Sequence, residues 1–522
     1  MNWLTQGRRM APRYASVVVL LLAACGGGGG GSGGGDGGGG GGGGGSVGTG
    51  GTTGDGGSVD VELTTPTGPP KAYVLDSLVL PAAAAASARS TVQSSAAVRP
   101  KPALLTLPQW NDAPPVPMPV PGVPMQIGAP RILTSTQTVG GMAQVLQWSP
   151  APDGGQVGAI SFTSVGAFGL RLGLVVEGLP DSARIHLYRQ DRSQTGFETT
   201  GKAINEVLAR NRAVDGNTQA AATWWSPDLG ADEVTLEIGL PAGVPASQLR
   251  ISIPRLTHAY VNLSLPTEAD LQARYDTRNV GDAASCELDA SCADQYATER
   301  NAVARMSYVD TDRFYYYCTG SLLNNTKLDY TPYFLSANHC ISTQAAASSL
   351  RTDWFFRSAS CNSVEPHPQA ATRQRGARLL YATSVTDATL LLLNEAPPAG
   401  VTLAGWDARG PTAKGAAVYT LHQPQGDWLK YAEGQAQSYR NCTVSGGSVS
   451  CSDGNAQSNF LDVVWSKGIT ERGSSGSPLF VNGRVVGALS GGSSACSVKG
   501  GADIYSRFDK AFSDTIGNWL AQ

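Results

Sequence analysis

The sequence predicts an all-β protein that ends in a helix, on three observations. Apolar and polar residues alternate at period two in several runs. The clearest is EVTLEIGL, Glu233–Leu240, where Val234, Leu236, Ile238 and Leu240 share one face and Thr235 and Glu237 the other. Turn signals such as LPDS and PAGVPAS separate these runs, and from Cys286 onward short β-type runs again alternate with loops. Only the C-terminus changes period: in RFDKAFSDTIGNWL, Phe508, Phe512, Ile516 and Trp519/Leu520 recur on a helical face.

The 522 residues allow two or three domains. Arg8, Arg9 and Arg13 precede a short apolar run, Ala15–Ala24, which falls short of the ~30 Å of a bilayer core. The run ends in LLAAC, small residues before Cys25, and resembles a bacterial lipobox. Residues 1–24 are therefore expected to be a lipoprotein signal peptide, and Cys25 the lipidated first residue of an exported chain. Residues 25–57 are nearly pure glycine, a disordered tether unable to bury a core. Residues 58–127 are Pro/Ala-rich (PAAAAASARS, APPVPMPVPGVP) and read as an extended spacer.

Over 128–264 the alternation in ARIHLYR, EVTLEIGL and LRISI predicts a β-sandwich, with one helix near Lys202–Arg212. His186 and His258 are expected to be structural or exposed. Residues 265–284 are polar and without a strand pattern, a linker, and 285–522 form a cysteine-bearing domain.

Net charge is −3 and 15% of residues are charged, so nothing points to a nucleic-acid partner. Nine cysteines divide into Cys25 and eight others, Cys286, Cys292, Cys318, Cys340, Cys361, Cys442, Cys451 and Cys496. Export and an even count imply disulfides. With no CxxC, neither a metal nor another cofactor is expected.

Three motifs carry chemistry. PYFLSANHC sets His339 after an apolar strand, TSVTDATLLLL sets Asp387 at the mouth of another, and ERGSSGSPLF crowds Ser474, Ser475 and Ser477 among glycines. A serine hydroxyl needs a neighbouring base to attack. Histidine titrates near neutrality and can take the proton. A buried carboxylate fixes its tautomer. Backbone N–H groups freed by glycine can stabilise an oxyanion.

These stretches, with CTGSLLNN and AGWD, resemble the chymotrypsin-like serine peptidases, and more narrowly the bacterial lysyl endopeptidases, over about Ser285 to Asn518. The resemblance implies a double β-barrel, with the preceding sandwich as a pro-domain. It makes His339 the base, Asp387 the orienting acid and Ser475 the nucleophile, with Gly473 and Ser475 supplying the oxyanion hole. Ser490, Gly491 and Gly492 would pair with substrate backbone, and Asp503 would sit at the pocket floor and favour Lys, or Lys/Arg, at P1. Where lysyl endopeptidases carry a histidine this chain has Ser490, which leaves Lys/Arg open. The resemblance also implies the pairs Cys286–Cys496, Cys292–Cys361 and Cys318–Cys340, leaving Cys442 and Cys451 to pair locally. His422, in LHQP, is expected to be structural and His367 solvated.

The reading is a monomeric zymogen of a secreted or cell-surface endopeptidase acting on proteins or peptides, held to the membrane through Cys25. Arg274 and Arg278 in the linker are candidate self-cleavage sites. The alternative is an adhesin-like surface lipoprotein with a silent peptidase domain.

Overall fold

The computed structural model describes residues 65–82, 100–110, 124–194, 196–265, 283–445, 448–498 and 500–522. The expected signal segment, Cys25, the glycine tether, most of the Pro/Ala-rich run, Arg274 and Arg278 lie outside the described residues.

The N-terminal region is two sheets facing each other across one apolar core. The first runs Ala103–Leu107, Gln156–Ser164, Glu233–Leu240, Arg184–Tyr188, Gly196–Thr200, with Trp148–Pro150 against Gln156–Ser164. Period two does the work here. Val234, Leu236, Ile238 and Leu240 are 1%, 0%, 0% and 2% exposed and meet Leu172, Leu174, Ile251 and Ile253 of the second sheet. The helix Gly201–Asp215 starts where Thr200 caps the Ala203 N–H (3.2 Å) and stops at Gly216, whose φ of 69° suits glycine.

The second sheet runs Thr223–Trp225, Gly169–Gly178, Arg250–Ala259, Met125–Ile132, and it does not end there. Met125–Ile132 also pairs with Tyr315–Leu323 of the C-terminal domain, at Gly128↔Tyr315, Gln126↔Tyr316 and Met125↔Tyr317. One eleven-stranded sheet therefore crosses both domains. Gly128 permits the three-strand junction: a Cβ there would lie 2.8 Å from His258 O and 3.1 Å from Tyr315 Cβ.

The C-terminal domain has two halves. The first is an open half-barrel in the order Arg351–Trp354, Val303–Val309, Tyr315–Leu323, Tyr333–Ala337, Ala388–Leu393, Ala377–Thr383. The second closes on itself through six strands: Ala417–His422, Lys430–Ser445, Phe460–Lys467, Ala502–Arg507, Arg484–Gly492, Pro478–Val481 and back to Ala417–His422. Closure leaves this barrel without edges. The hairpin between Pro478–Val481 and Arg484–Gly492 turns at Asn482 and Gly483, with φ of 48° and 77°, the two positive values that an Asn-Gly pair favours. The chain ends in helical turns Phe508–Ala511, Phe512–Ile516 and Gly517–Leu520, the middle one a π-turn. Phe508, Phe512, Ile516 and Leu520 are buried there around Trp406.

Within the run read as spacer, Val74–Leu75 pairs with Gly405–Asp407, and Leu78–Val79 with Thr402–Leu403. Ala103–Leu107, in the same run, is a strand of the first sheet, paired in parallel with Gln156–Ser164. Two-residue strands carry no periodicity and the five-residue one is flanked by proline, so composition masks all three.

Candidate active site

His339 follows the Tyr333–Ala337 strand, and Asp387 immediately precedes Ala388–Leu393. These strands are antiparallel partners with Ala337 opposite Ala388, so register alone brings the two residues together. Asp387 is 1% exposed and stands at φ 47°, a conformation that a non-glycine residue holds only where its surroundings fix it. Its own carbonyl accepts the Asn338 N–H (3.1 Å). The carboxylate grips His339 twice, Oδ1 accepting its backbone N–H (2.9 Å) and Oδ2 lying 2.8 Å from Nδ1. A carboxylate at Nδ1 selects the tautomer that leaves Nε2 as the free base.

Ser475 sits in a loop whose shape the neighbouring glycines require. Gly473 has φ 86°, and a Cβ there would overlap the Tyr317 ring, 2.0 Å from Cε1. Gly476 has φ 80°, and its Cβ would lie 2.1 Å from Ser336 Oγ and 2.8 Å from Ala337 N. The loop is thus pressed against the strand that leads into His339. Its carbonyls are held from the next strand: Thr319 donates its N–H to Ser475 O (2.9 Å) and its Oγ1–H to Gly473 O (2.9 Å). Cys318, adjacent to Thr319, is disulfide-bonded to Cys340, adjacent to His339.

With the carbonyls so engaged, the N–H groups of Gly473 and Ser475 donate to no acceptor among the described residues. Ser475 is fully buried. Its Oγ and His339 Nε2 each lack a hydrogen-bond partner, so the two are not bonded to each other. The residue types are those of acyl transfer: a buried hydroxyl, an imidazole oriented by a carboxylate, and two amides without an acceptor among the described residues.

The segment after the hairpin is tied to this loop, Gly476 N–H donating to Leu489 O (2.8 Å) and Leu489 N–H to Ser477 O (2.9 Å). Ser490 follows, buried, its Oγ unpartnered. Gly492 lies opposite Asp503 across the ladder, and Gly491 opposite Ile504. Asp503 is fully buried. Its Oδ2 accepts from Trp465 Nε1 (2.6 Å), Thr470 Oγ1 (2.7 Å) and Ser494 Oγ (2.7 Å), and Oδ1 from the Ser494 N–H (3.1 Å). Burial pushes the carboxyl above its ordinary range, and these donors only partly offset it. Oδ1 keeps an unused lone pair, and it lies 2.1 Å from where a Gly492 Cβ would stand. A side chain at 492 would close over the carboxylate.

A second polar cluster escaped sequence reasoning. His422 is fully buried with Nδ1 2.8 Å from Ser474 Oγ, and its Nε2 is 3.5 Å from Glu287 Oε2. Ser474 Oγ accepts the Glu471 N–H (3.3 Å), which leaves its proton for Nδ1. Burial, helped by the Lys430 charge, lowers the His422 pKa to about 3. Burial, with Glu471 nearby, raises Glu287 well above the carboxylate range. Glu471 in turn accepts the Ala284 N–H (2.8 Å). The only signal was positional, because Glu287 follows Cys286 and Ser474 precedes Ser475.

The remaining histidines are also accounted for. His258 bonds Ser164 Oγ (2.8 Å). His186 is buried. His367, expected in solvent, is instead half-buried and stacked on Phe355, centroids 5.5 Å apart. The cysteines pair as Cys286–Cys496, Cys292–Cys361, Cys318–Cys340 and Cys442–Cys451, the last directly across a ladder. Among the described residues no cluster suited to a metal occurs, and no helix is long and apolar enough to cross a membrane.

The family profile for the lysyl endopeptidase C-terminal domain matches residues 280–506, and that for the lysyl endopeptidase N-terminal domain matches 102–260. A lysyl endopeptidase of Pseudomonas aeruginosa is 32% identical over 416 residues, 76% of this chain and 80% of that protein. Among solved structures, the active form of the Rv3671c protease from M. tuberculosis is 15% identical, covers 45% of this chain and 88% of its own, and has a TM-score of 0.30. The MamO protease domain from Magnetospirillum magneticum is 11% identical, covers 42% and 97%, and has a TM-score of 0.28.

Proposed function

The chain belongs to the lysyl endopeptidase family and is a trypsin-like serine endopeptidase, and from that premise we propose that Ser475, His339 and Asp387 carry its chemistry. One observation carries the reading: Asp387 holds His339 by Nδ1 at 2.8 Å, while Nε2 and the Ser475 hydroxyl are both left free.

Ser475 Oγ attacks the scissile carbonyl carbon as its proton passes to His339 Nε2. The oxyanion forms in front of the Gly473 and Ser475 N–H groups. The intermediate collapses, the C–N bond breaks, and the imidazolium returns its proton to the leaving amine. Water, deprotonated by the same imidazole, then hydrolyses the Ser475 ester. Asp387 orients the imidazole and stabilises the imidazolium that forms.

Asp503 is assigned to P1 selection. An anionic, buried carboxylate with one lone pair open beneath Gly492 suits a Lys or Arg side chain, because a lone charge of either sign is costly to bury. Removing one partner of such a pair costs about 2–5 kcal/mol, so Asp503→Asn should lower kcat/KM on Lys and Arg substrates by roughly one and a half to three and a half orders of magnitude. Because burial raises the Asp503 pKa, KM for a Lys substrate should fall as pH rises past the ordinary carboxylate range. Digestion of a mixed proteome with the matured enzyme tests the assignment: cuts should follow Lys or Lys/Arg, and an unchanged pattern in Asp503→Asn would refute it.

Export, lipidation at Cys25 and processing in the 265–284 linker complete the proposal. Complete burial of Ser475 in the uncut chain and the capping of the Tyr315–Leu323 edge by Met125–Ile132 support a zymogen. N-terminal sequencing of the exported peptidase should find a terminus between Tyr275 and Ser285.

A further inference from the structure

Residues Pro70–Leu80 lie along the peptidase domain in a seat built for them. The backbone is engaged along its length. Lys71 N–H donates to Ala521 O (2.7 Å) and Ala408 N–H to Tyr73 O (2.8 Å). Val74–Leu75 and Leu78–Val79 form ladders with Gly405–Asp407 and Thr402–Leu403. Asn324 Nδ2 donates to Asp76 O (2.9 Å), and Gly405 N–H to Ser77 Oγ (2.9 Å). Leu80 closes the run, its N–H donating to Val401 O (2.8 Å) and its carbonyl accepting from Gly400 (2.9 Å).

The side chains are equally placed. Leu80 is 4% exposed and belongs to the half-barrel core with Leu322 and Leu403. Leu75 packs on the core around Trp406, Tyr73 on Phe512 with centroids 5.7 Å apart, and Asp76 pairs with Arg484. The seat itself is shaped for this backbone. A Cβ on Gly405 would lie 2.4 Å from Leu75 O, and one on Gly517 2.9 Å from Pro70 Cγ. The strap thus joins the segment between the two halves, the C-terminal helix and Arg484, and touches none of Ser475, His339, Asp387 or Asp503.

The N-terminal β domain is held differently, by the Met125–Ile132 edge and by buried polar contacts such as Arg171 Nη2 to Ser349 O (2.7 Å). Its contacts cap the strand that carries Thr319, which holds the Ser475 carbonyl, whereas those of the strap do not. We propose that Pro70–Leu80 is a permanent strand of the working peptidase. It stays bound as a separate peptide after the chain is cut in the 265–284 linker and between Leu80 and Ala103, and so keeps the enzyme joined to the Cys25 end of the chain. This rests on the processing reading above, but the seat can be tested without it.

The test uses the full chain carrying Ser475→Ala, with one site for a specific protease inserted in 266–282 and another in 83–99. After both cuts, native gel filtration and intact mass spectrometry should find the N-terminal fragment that carries residues 70–80 co-eluting one-to-one with the peptidase domain. Recovery of that fragment at its own elution volume, apart from the peptidase domain, would overturn the proposal. Leu80→Asp with Asp76→Ala should release it at least about tenfold faster, since the change removes a buried anchor and an ion pair. If that variant does not fold, a labelled synthetic peptide of residues 66–82 gives the same measure by exchange: slow exchange over hours supports the strap, and complete exchange within seconds contradicts it. N-terminal sequencing of the wild type reports separately on self-processing.

Discussion

Ser474 and Ser475 are neighbours, both fully buried, and two histidine–carboxylate pairs bear on them, one bonded to Ser474 and one assigned to Ser475. On one side His339 takes Asp387 at Nδ1 (2.8 Å) and keeps Nε2 open. On the other, His422 spends Nδ1 on Ser474 Oγ (2.8 Å) and turns Nε2 toward Glu287, 3.5 Å away. A serine, a histidine and a carboxylate occur twice, with aspartate in one set and glutamate in the other. What separates them is what each Nδ1 holds, a carboxylate on one side and a serine hydroxyl on the other. A histidine with its pKa near 3 cannot act as a base near neutrality, but it can fix the residue before the nucleophile.

That contrast can be broken most forcefully by exchanging the two sides. Ser475→Ala and His339→Ala should each lower kcat on the order of 10^6-fold, as loss of a nucleophile or base does. Ser474→Ala should change kcat by less than about tenfold, since Ser474 offers only a hydrogen bond. Comparable losses in steady-state assays of the two serine variants would erase the distinction. Asp387→Asn should come next, at about 10^4-fold with the fold intact, because it reverses the tautomer that Asp387 selects.

His422→Ala should act on stability instead. It strands the buried Ser474 hydroxyl and should cost about 1–3 kcal/mol in denaturant unfolding while kcat stays within about tenfold. His422→Gln, which can still bond Ser474, should recover part of the loss.

The smallest effect is a pH dependence. Burial lowers the pKa of His422 to about 3 and that of His258 to about 4. Below the ordinary value of about 6.5 the unfolded chain binds protons that the folded chain refuses, so these groups make stability fall as pH drops from 6.5 toward 3. The thermal midpoint should therefore drop between pH 6.5 and 4, and drop less in His422→Gln than in the wild type.

Much of this fold was readable because period two needs only nearest neighbours: Val234, Leu236, Ile238 and Leu240 are the buried face that their alternation implies. The helix near 202–212 was readable for a similarly local reason. What stayed hidden depends on distant partners. Leu78 finds Leu403, and Gly128 finds Tyr315, across hundreds of residues and domain boundaries. At the site, His339, Asp387 and Ser475 stood out because each abuts a strand end. Local sequence could not show the positive φ of Asp387, the burial of Ser475, or the Glu287–His422–Ser474 chain, since these arise from packing between strands.

The claim that matters most is which serine attacks. Matured enzyme should be reacted with a serine-directed phosphonate and the adduct mapped by peptide mass spectrometry within Glu471–Phe480. One stoichiometric adduct on Ser475, absent in His339→Ala, is expected. An adduct on Ser474, or none on fully processed enzyme, would contradict it.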